Sequence, residues 1–216
     1  MTAKLIYRAE RHPALDRHGF RDRWRRHAAL GMSQPRWTNI RRYAHCDPID
    51  DRAPWDGVAL LWYRDEAARL RHIADPAAGA IMRADEAEAF ARPVRAFSTL
   101  VTEAPPVSAR PVSHKLFVFI RRDGGLSRDG FVQGWMRDHA RRRRERLAAL
   151  PGFRGLVLNL ARSEAELSGF GLDCDAIEES DWDAPLDIGS EPLPGAARVE
   201  PLWTRHVLLY ESDAQS

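Results

Sequence analysis

Leu126-Ser127-Arg128-Asp129-Gly130-Phe131-Val132-Gln133-Gly134-Trp135-Met136-Arg137-Asp138-His139 is the stretch on which the fold turns. Phe131, Trp135 and His139 recur every four residues, so a helix places them on one face. A titratable residue on a stripe with two large aromatics is expected to be buried or to face a pocket. The stretch has an earlier copy. Leu15-Asp16-Arg17-His18-Gly19-Phe20-Arg21-Asp22-Arg23-Trp24-Arg25-Arg26-His27 lies 111 positions upstream.

The same shift extends outward. Lys4/Lys115, Leu5/Leu116, Arg11/Arg122, Leu15/Leu126, Arg17/Arg128, Gly19/Gly130, Phe20/Phe131, Trp24/Trp135, Arg26/Arg137 and Ala29/Ala140 are identical pairs. Coincidence would supply roughly one or two over such a span. Asp56 to Trp62 is echoed by Asp175 to Trp182, and Phe97 to Glu103 by His206 to Ser212. Three prolines in Ala104 to Pro111 mark a boundary. The sequence therefore predicts a first repeat over 1–106, a linker over 107–113 and a second repeat over 114–216.

Within the first copy, residues 4–9 read as a strand, and Asp16 caps a helix carrying Phe20, Trp24 and His27, ended by Gly31 and Pro35. Ile40 to Cys46 reads as a second strand whose alternation groups Arg41, Tyr43 and His45 on one face. Val58 to Tyr63 is a third strand. Asp65-Glu66 opens a helix that Asp75-Pro76 breaks, an Ala- and Glu-rich helix runs to about Ala91, and Phe97 to Thr102 is the last strand. The order is β-α-β-β-α-β. In the second copy, strands are predicted over 115–120, 153–161, 174–180 and 206–210. Its second helix, over 184–197, is eroded by prolines and glycines.

The 216 residues carry 33 basic and 31 acidic side chains, a net charge of +2. So even a balance gives no global argument for nucleic acid or membrane. Cys46 and Cys174 are too few for a disulfide framework, no run is long enough to span a bilayer, and the N-terminal residues lack a signal-peptide core; a cytoplasmic protein is expected.

A strand beginning Lys-Leu, then Leu-[Ser/Asp]-Arg-x-x-Phe-x-x-x-Trp and a helix histidine, resembles the EthD-like family. So does the third strand, Asp56-Gly57-Val58-Ala59-Leu60-Leu61-Trp62. The resemblance implies an α+β fold of the dimeric α+β barrel superfamily. Here two ferredoxin-like units in one chain would form an intramolecular barrel, with a candidate pocket between the sheets. It also implies a helix histidine four residues after the tryptophan. His139 fits, whereas Ala28 holds that place in the first copy and His27 precedes it. One functional and one structural half is the expectation.

His139 is the first catalytic candidate, as a general acid or base. His27, the Tyr43 and His45 pair, and His206, which the looser echo of the last strand sets against Phe97, follow. Each competes with a role in the core. No HxH, HxxxH or HExxH pair supports a metal, and no glycine-rich phosphate loop is present. Some relatives in the wider superfamily bind haem through a histidine, but no feature here requires it, and no cofactor is expected. Arg141 to Arg146 reads as the solvated face of a helix near its C-terminus. The expected function is cofactor-independent proton transfer (elimination, isomerisation, cyclisation or dehydration) on a small apolar, aromatic or polyketide-like substrate, by a monomer or homodimer. The alternatives are a non-catalytic binding protein and a haem- or oxygen-dependent oxidoreductase.

Overall fold

The computed structural model describes residues 3–104, 112–163, 165–188, 193 and 195–212. They form a mixed α+β fold of two compact units. The first runs to Thr102 and recruits Arg162–Leu172 and Val207 onward; the second comprises Glu103–Ala161 and Asp173–His206. The recruited segment is tied by its backbone: Arg162 donates to the Leu100 carbonyl, Gly171 to that of Arg95 and Leu172 to that of Ser98. Residues 107–111 of the expected linker, with 105 and 106 before it, lie outside the described residues.

In the first unit, β1 (Ala3–Ala9), α1 (Arg17–Met32), β2 (Ile40–Pro48), β3 (Gly57–Tyr63), α2 (Glu66–Ile73), α3 (Pro76–Ala89) and β4 (Ser98–Glu103) follow in order. The antiparallel sheet is ordered β4-β1-β3-β2. Asp16, Asp65 and Asp75 each cap a helix by accepting from the N–H three residues on, at 2.7, 2.6 and 3.0 Å. Such a cap contributes about 1 kcal/mol. Gly31 does not end α1; it is buried inside it, and the helix closes at Met32. A register shift between Ile40 and Arg42 makes Arg41 the bulged residue. Arg41 therefore leaves the face that Tyr43 and His45 share.

The second unit contains β5 (His114–Arg122), α4 (Arg128–Gly134), a π turn (Trp135–His139), α5 (Ala140–Ala148), β6 (Phe153–Ala161), β7 (Ala176–Trp182) and β8 (Ala196–Glu211). Its antiparallel order is β8-β5-β7-β6. Among the described residues no helix lies between β7 and β8, where the prolines and glycines stand. The last strand starts ten residues earlier than the sequence predicts. Leu5 faces Leu100 across β1 and β4, whereas Leu116 faces Trp203 across β5 and β8. Glu200 thus takes the place of Phe97, and His206 that of Glu103.

Residues 111 apart repeat contacts as well as identities. The Arg11 N–H and side chain bind Asp56; the Arg122 N–H and side chain bind Asp175. Arg11 and Arg122 also donate to the carbonyls of Leu15 and Leu126, at 3.1 and 3.3 Å. Ser127 caps α4 as Asp16 caps α1.

The units differ in what fills the third strand. β3 presents Ala59, Leu60, Leu61 and Trp62, all buried; the register gives their places in β7 to Glu178, Glu179, Ser180 and Asp181, also buried. Lys115, 6% exposed, reaches Glu179 at 2.7 Å and Asp181 at 2.5 Å. Lys4, its counterpart, stands 4.6 Å from the Trp62 ring centroid.

Candidate active site

His27 lies three residues after Trp24, and His139 four residues after Trp135. The π turn absorbs one extra residue after Trp135. The buried His27-Ala28 pair thereby matches His139-Ala140, 112 positions on, rather than 111. The extra residue of a π turn offsets the rotation of about 100° that one residue imposes on a helix.

Both imidazoles bind a carboxylate, from different elements. His27 Nδ1 donates to Asp85 of α3 at 2.6 Å, and Arg23 grips that carboxylate through two nitrogens, at 2.7 and 3.1 Å. His139 Nε2 meets Glu178 of β7 at 2.7 Å, and Arg143 reaches the other oxygen at 3.0 Å. The basic run of α5 thus sends Arg143 inward and leaves Arg141 exposed.

The surroundings then diverge. In the first unit Trp24 Nε1 donates to the Tyr7 hydroxyl at 2.7 Å, Tyr7 and Tyr43 share a hydrogen bond of 3.3 Å, and Tyr43 meets His45 Nε2 at 2.6 Å. Arg25 contacts His45 Nδ1 and binds Asp47 at 2.5 Å. A guanidinium only donates. His45 Nδ1 therefore accepts, and its Nε2–H donates to Tyr43. One phenol proton makes the Tyr7–Tyr43 bond, and the other remains. In the second unit the register replaces Tyr7, Tyr43 and His45 by Val118, Leu156 and Leu158, which pack in the hydrophobic core. The Trp135 indole nitrogen has no partner among the described residues.

Tyr7, Tyr43 and His27 line one cavity of about 130 Å³. It lies in the first unit between the sheet and helices α1, α2 and α3, on the helix-covered face rather than the opposite one. Tyr63, His72, Arg36, Glu86 and Trp37 complete its polar and aromatic wall. His139 and His206 do not border it. Of the sequence candidates it unites His27 and Tyr43 directly, with His45 one hydrogen bond behind. Tyr7, Asp85, Arg36 and His72 went unread.

Protonation suits acid–base work. Burial lowers His27 below the ordinary histidine value even with Asp85 opposing, so the ring is neutral at pH 7. With Nδ1–H on Asp85, its Nε2 carries the lone pair. Burial pushes Asp85 up, but the bonds from Arg23 and His27 outweigh it and hold the carboxyl below its usual range. Burial pushes Tyr7 up to about 12 and Tyr43 well above its ordinary value, so both phenols stay protonated. Burial, then the Arg25 charge, holds His45 well below its usual value.

His72 gives a stability prediction. Its Nδ1 donates to the Arg36 carbonyl at 3.1 Å, and burial lowers its pKa from 6.5 to about 4. The unfolded chain binds the proton first, so this contribution is whole above pH 6.5 and is lost as pH falls towards 4. Urea unfolding of wild type and His72→Asn at pH 7.5 and pH 4.5 should show the wild-type advantage shrinking by about 2–3 kcal/mol. An unchanged difference would contradict a neutral buried ring.

Residues 12–93 match the EthD family model, described as EthD domain. No curated protein sequence matches the chain. Solved structures with similar folds span nearly its whole length. A candidate monooxygenase from Fusobacterium nucleatum has a TM-score of 0.58 at 9% identity, covering 98% of both chains. A chlorite dismutase from Candidatus Nitrospira defluvii has a TM-score of 0.52 at 9% identity, covering 95% of this chain and 90% of its own. An anthrone oxidase-like protein has a TM-score of 0.50 at 11% identity, again covering 95% and 90%. Such likenesses show the fold. Among the described residues no His, Cys, Asp and Glu group could hold a metal ion, and no helix is long and apolar enough to cross a membrane.

Proposed function

We propose that this protein is a cofactor-independent enzyme of EthD-like type that moves a proton on a small, largely apolar substrate in the first-unit cavity. The observation that carries the reading is one cavity wall shared by a carboxylate-oriented, neutral histidine and a phenol pair with a spare proton. His27 Nε2 takes a proton from a carbon next to a carbonyl. The Tyr7–Tyr43 pair hydrogen-bonds the oxygen on which negative charge develops. Returning the proton to another atom gives isomerisation; expelling a β-hydroxyl gives dehydration. Arg23 and Asp85 position the base, and His45 with Arg25 positions the phenols.

The reading includes the architecture. The chain is a tandem duplication of ferredoxin-like units, with the second unit as a structural half. Its His139–Glu178–Arg143 cluster is then a buried ion-pair group. The matched contacts and strand orders support this. A haem does not fit the cavity described, since about 130 Å³ is far below the size of a macrocycle.

The test is deuterium exchange. Single-ring enolisable ketones incubated in D₂O should exchange their α-protons faster than in buffer, followed by proton NMR. Tyr7→Phe should slow that exchange about 10²-fold, the usual worth of a developing-charge donor. Exchange no faster than in buffer across the panel would argue for a binding protein instead.

A further inference from the structure

Arg36 sits on the short turn Pro35–Asn39, with its side chain at the cavity wall. Its guanidinium makes one hydrogen bond, Nη1 to the His72 carbonyl at 3.3 Å, and forms no ion pair with a described residue. This differs from Arg11, Arg17, Arg23 and Arg25 of the same unit, each held by an aspartate. A guanidinium offers five donors in a planar fork, and four of Arg36's remain for a ligand. Arg36 is half-buried; burial lowers its pKa, and the charge of Asp75 opposes that shift without reaching it as an ion pair. Glu86 borders the same cavity and accepts from the Val94 N–H at 3.1 Å; burial raises its pKa.

The rest of the wall sets the shape. Leu5, Leu61, Met82 and Val94, with Trp37 and Tyr63, make an apolar and aromatic lining. The volume of about 130 Å³ is close to that of an engineered apolar cavity of about 150 Å³ that admits benzene. One six-membered ring fits, and a fused polycycle does not.

We infer that the site binds a single-ring organic carboxylate, its ring against the apolar wall and its carboxylate on Arg36. This deepens the proton-transfer reading and rests on it for which cavity is used. Arg36 is then a specificity residue. It selects anionic substrates and fixes which ring carbon faces His27.

Titration calorimetry with benzoate and its neutral isostere benzamide tests this. Wild type should prefer benzoate by about tenfold or more, the worth of a charge-assisted hydrogen bond. Arg36→Met should abolish the preference by weakening benzoate far more than benzamide, and Arg36→Lys should retain part of it. Thermal melts establish that both variants are folded. Equal affinities in wild type, a preference surviving in Arg36→Met, or no binding of either compound would each overturn the inference. Binding needs no turnover, so the two readings fail separately. Benzoate preference without deuterium exchange would sink only the catalytic reading; exchange without the preference would sink only the assignment of Arg36.

Discussion

His27→Gln should lower turnover by about 10²- to 10⁴-fold, the usual contribution of a positioned general base. His27 Nε2 has its lone pair free because Nδ1–H is committed to Asp85 at 2.6 Å, and Phe90 meets the ring edge-on, centroids 5.1 Å apart. Glutamine has no such base. His139→Gln should cost less than about tenfold in turnover, below the range for a general base. His139 is tied to Glu178, and the counterparts of the phenols are Val118 and Leu156. The comparison is steady-state kinetics on one enolisable substrate, after melts show both variants folded. A reversed order would move the base to the second unit. The active form is neutral His27, whose pKa is lowered. kcat/KM should therefore be flat through pH 7 and fall only below the ordinary histidine value, near pH 6.5.

Lys115→Met should carry the largest stability cost, about 3–5 kcal/mol, because it removes the cation that two buried carboxylates share. Glu179 and Asp181 are 2% and 7% exposed, and Lys115 lies within hydrogen-bond reach of both. The first unit shows that the same sheet positions accept apolar side chains, since Leu60 and Trp62 stand there. Replacing Glu179 and Asp181 by leucine in the Lys115→Met background should therefore recover most of the loss. Denaturant unfolding measures both. A single variant as stable as wild type would mean that the carboxylates are satisfied without the lysine.

Much of this was legible in the sequence. The proposed duplication rests on pairs such as Phe20 and Phe131, and Trp24 and Trp135, each buried in the core of its own unit. The helix caps Asp16, Asp65, Asp75 and Ser127 were readable because capping is local chemistry. What escaped depended on distant partners. Asp85 is 58 residues from His27 and joins it only when α3 packs on α1. The π turn inserts a residue without a sequence signal, so the two histidines looked out of register. The exchange of Tyr43 for Leu156 appears only once strand pairing is known, because the offset has drifted from 111 to 113.

The protonation state of His27 is the centre of the account, and ¹⁵N NMR of the imidazole rings reads it directly. At pH 7 the account predicts a pyrrole-type Nδ1 and a pyridine-type Nε2 for His27, with Nε2 shifting when benzoate is added. A doubly protonated ring at pH 7, or a pyridine-type Nδ1, would contradict a base held ready by Asp85.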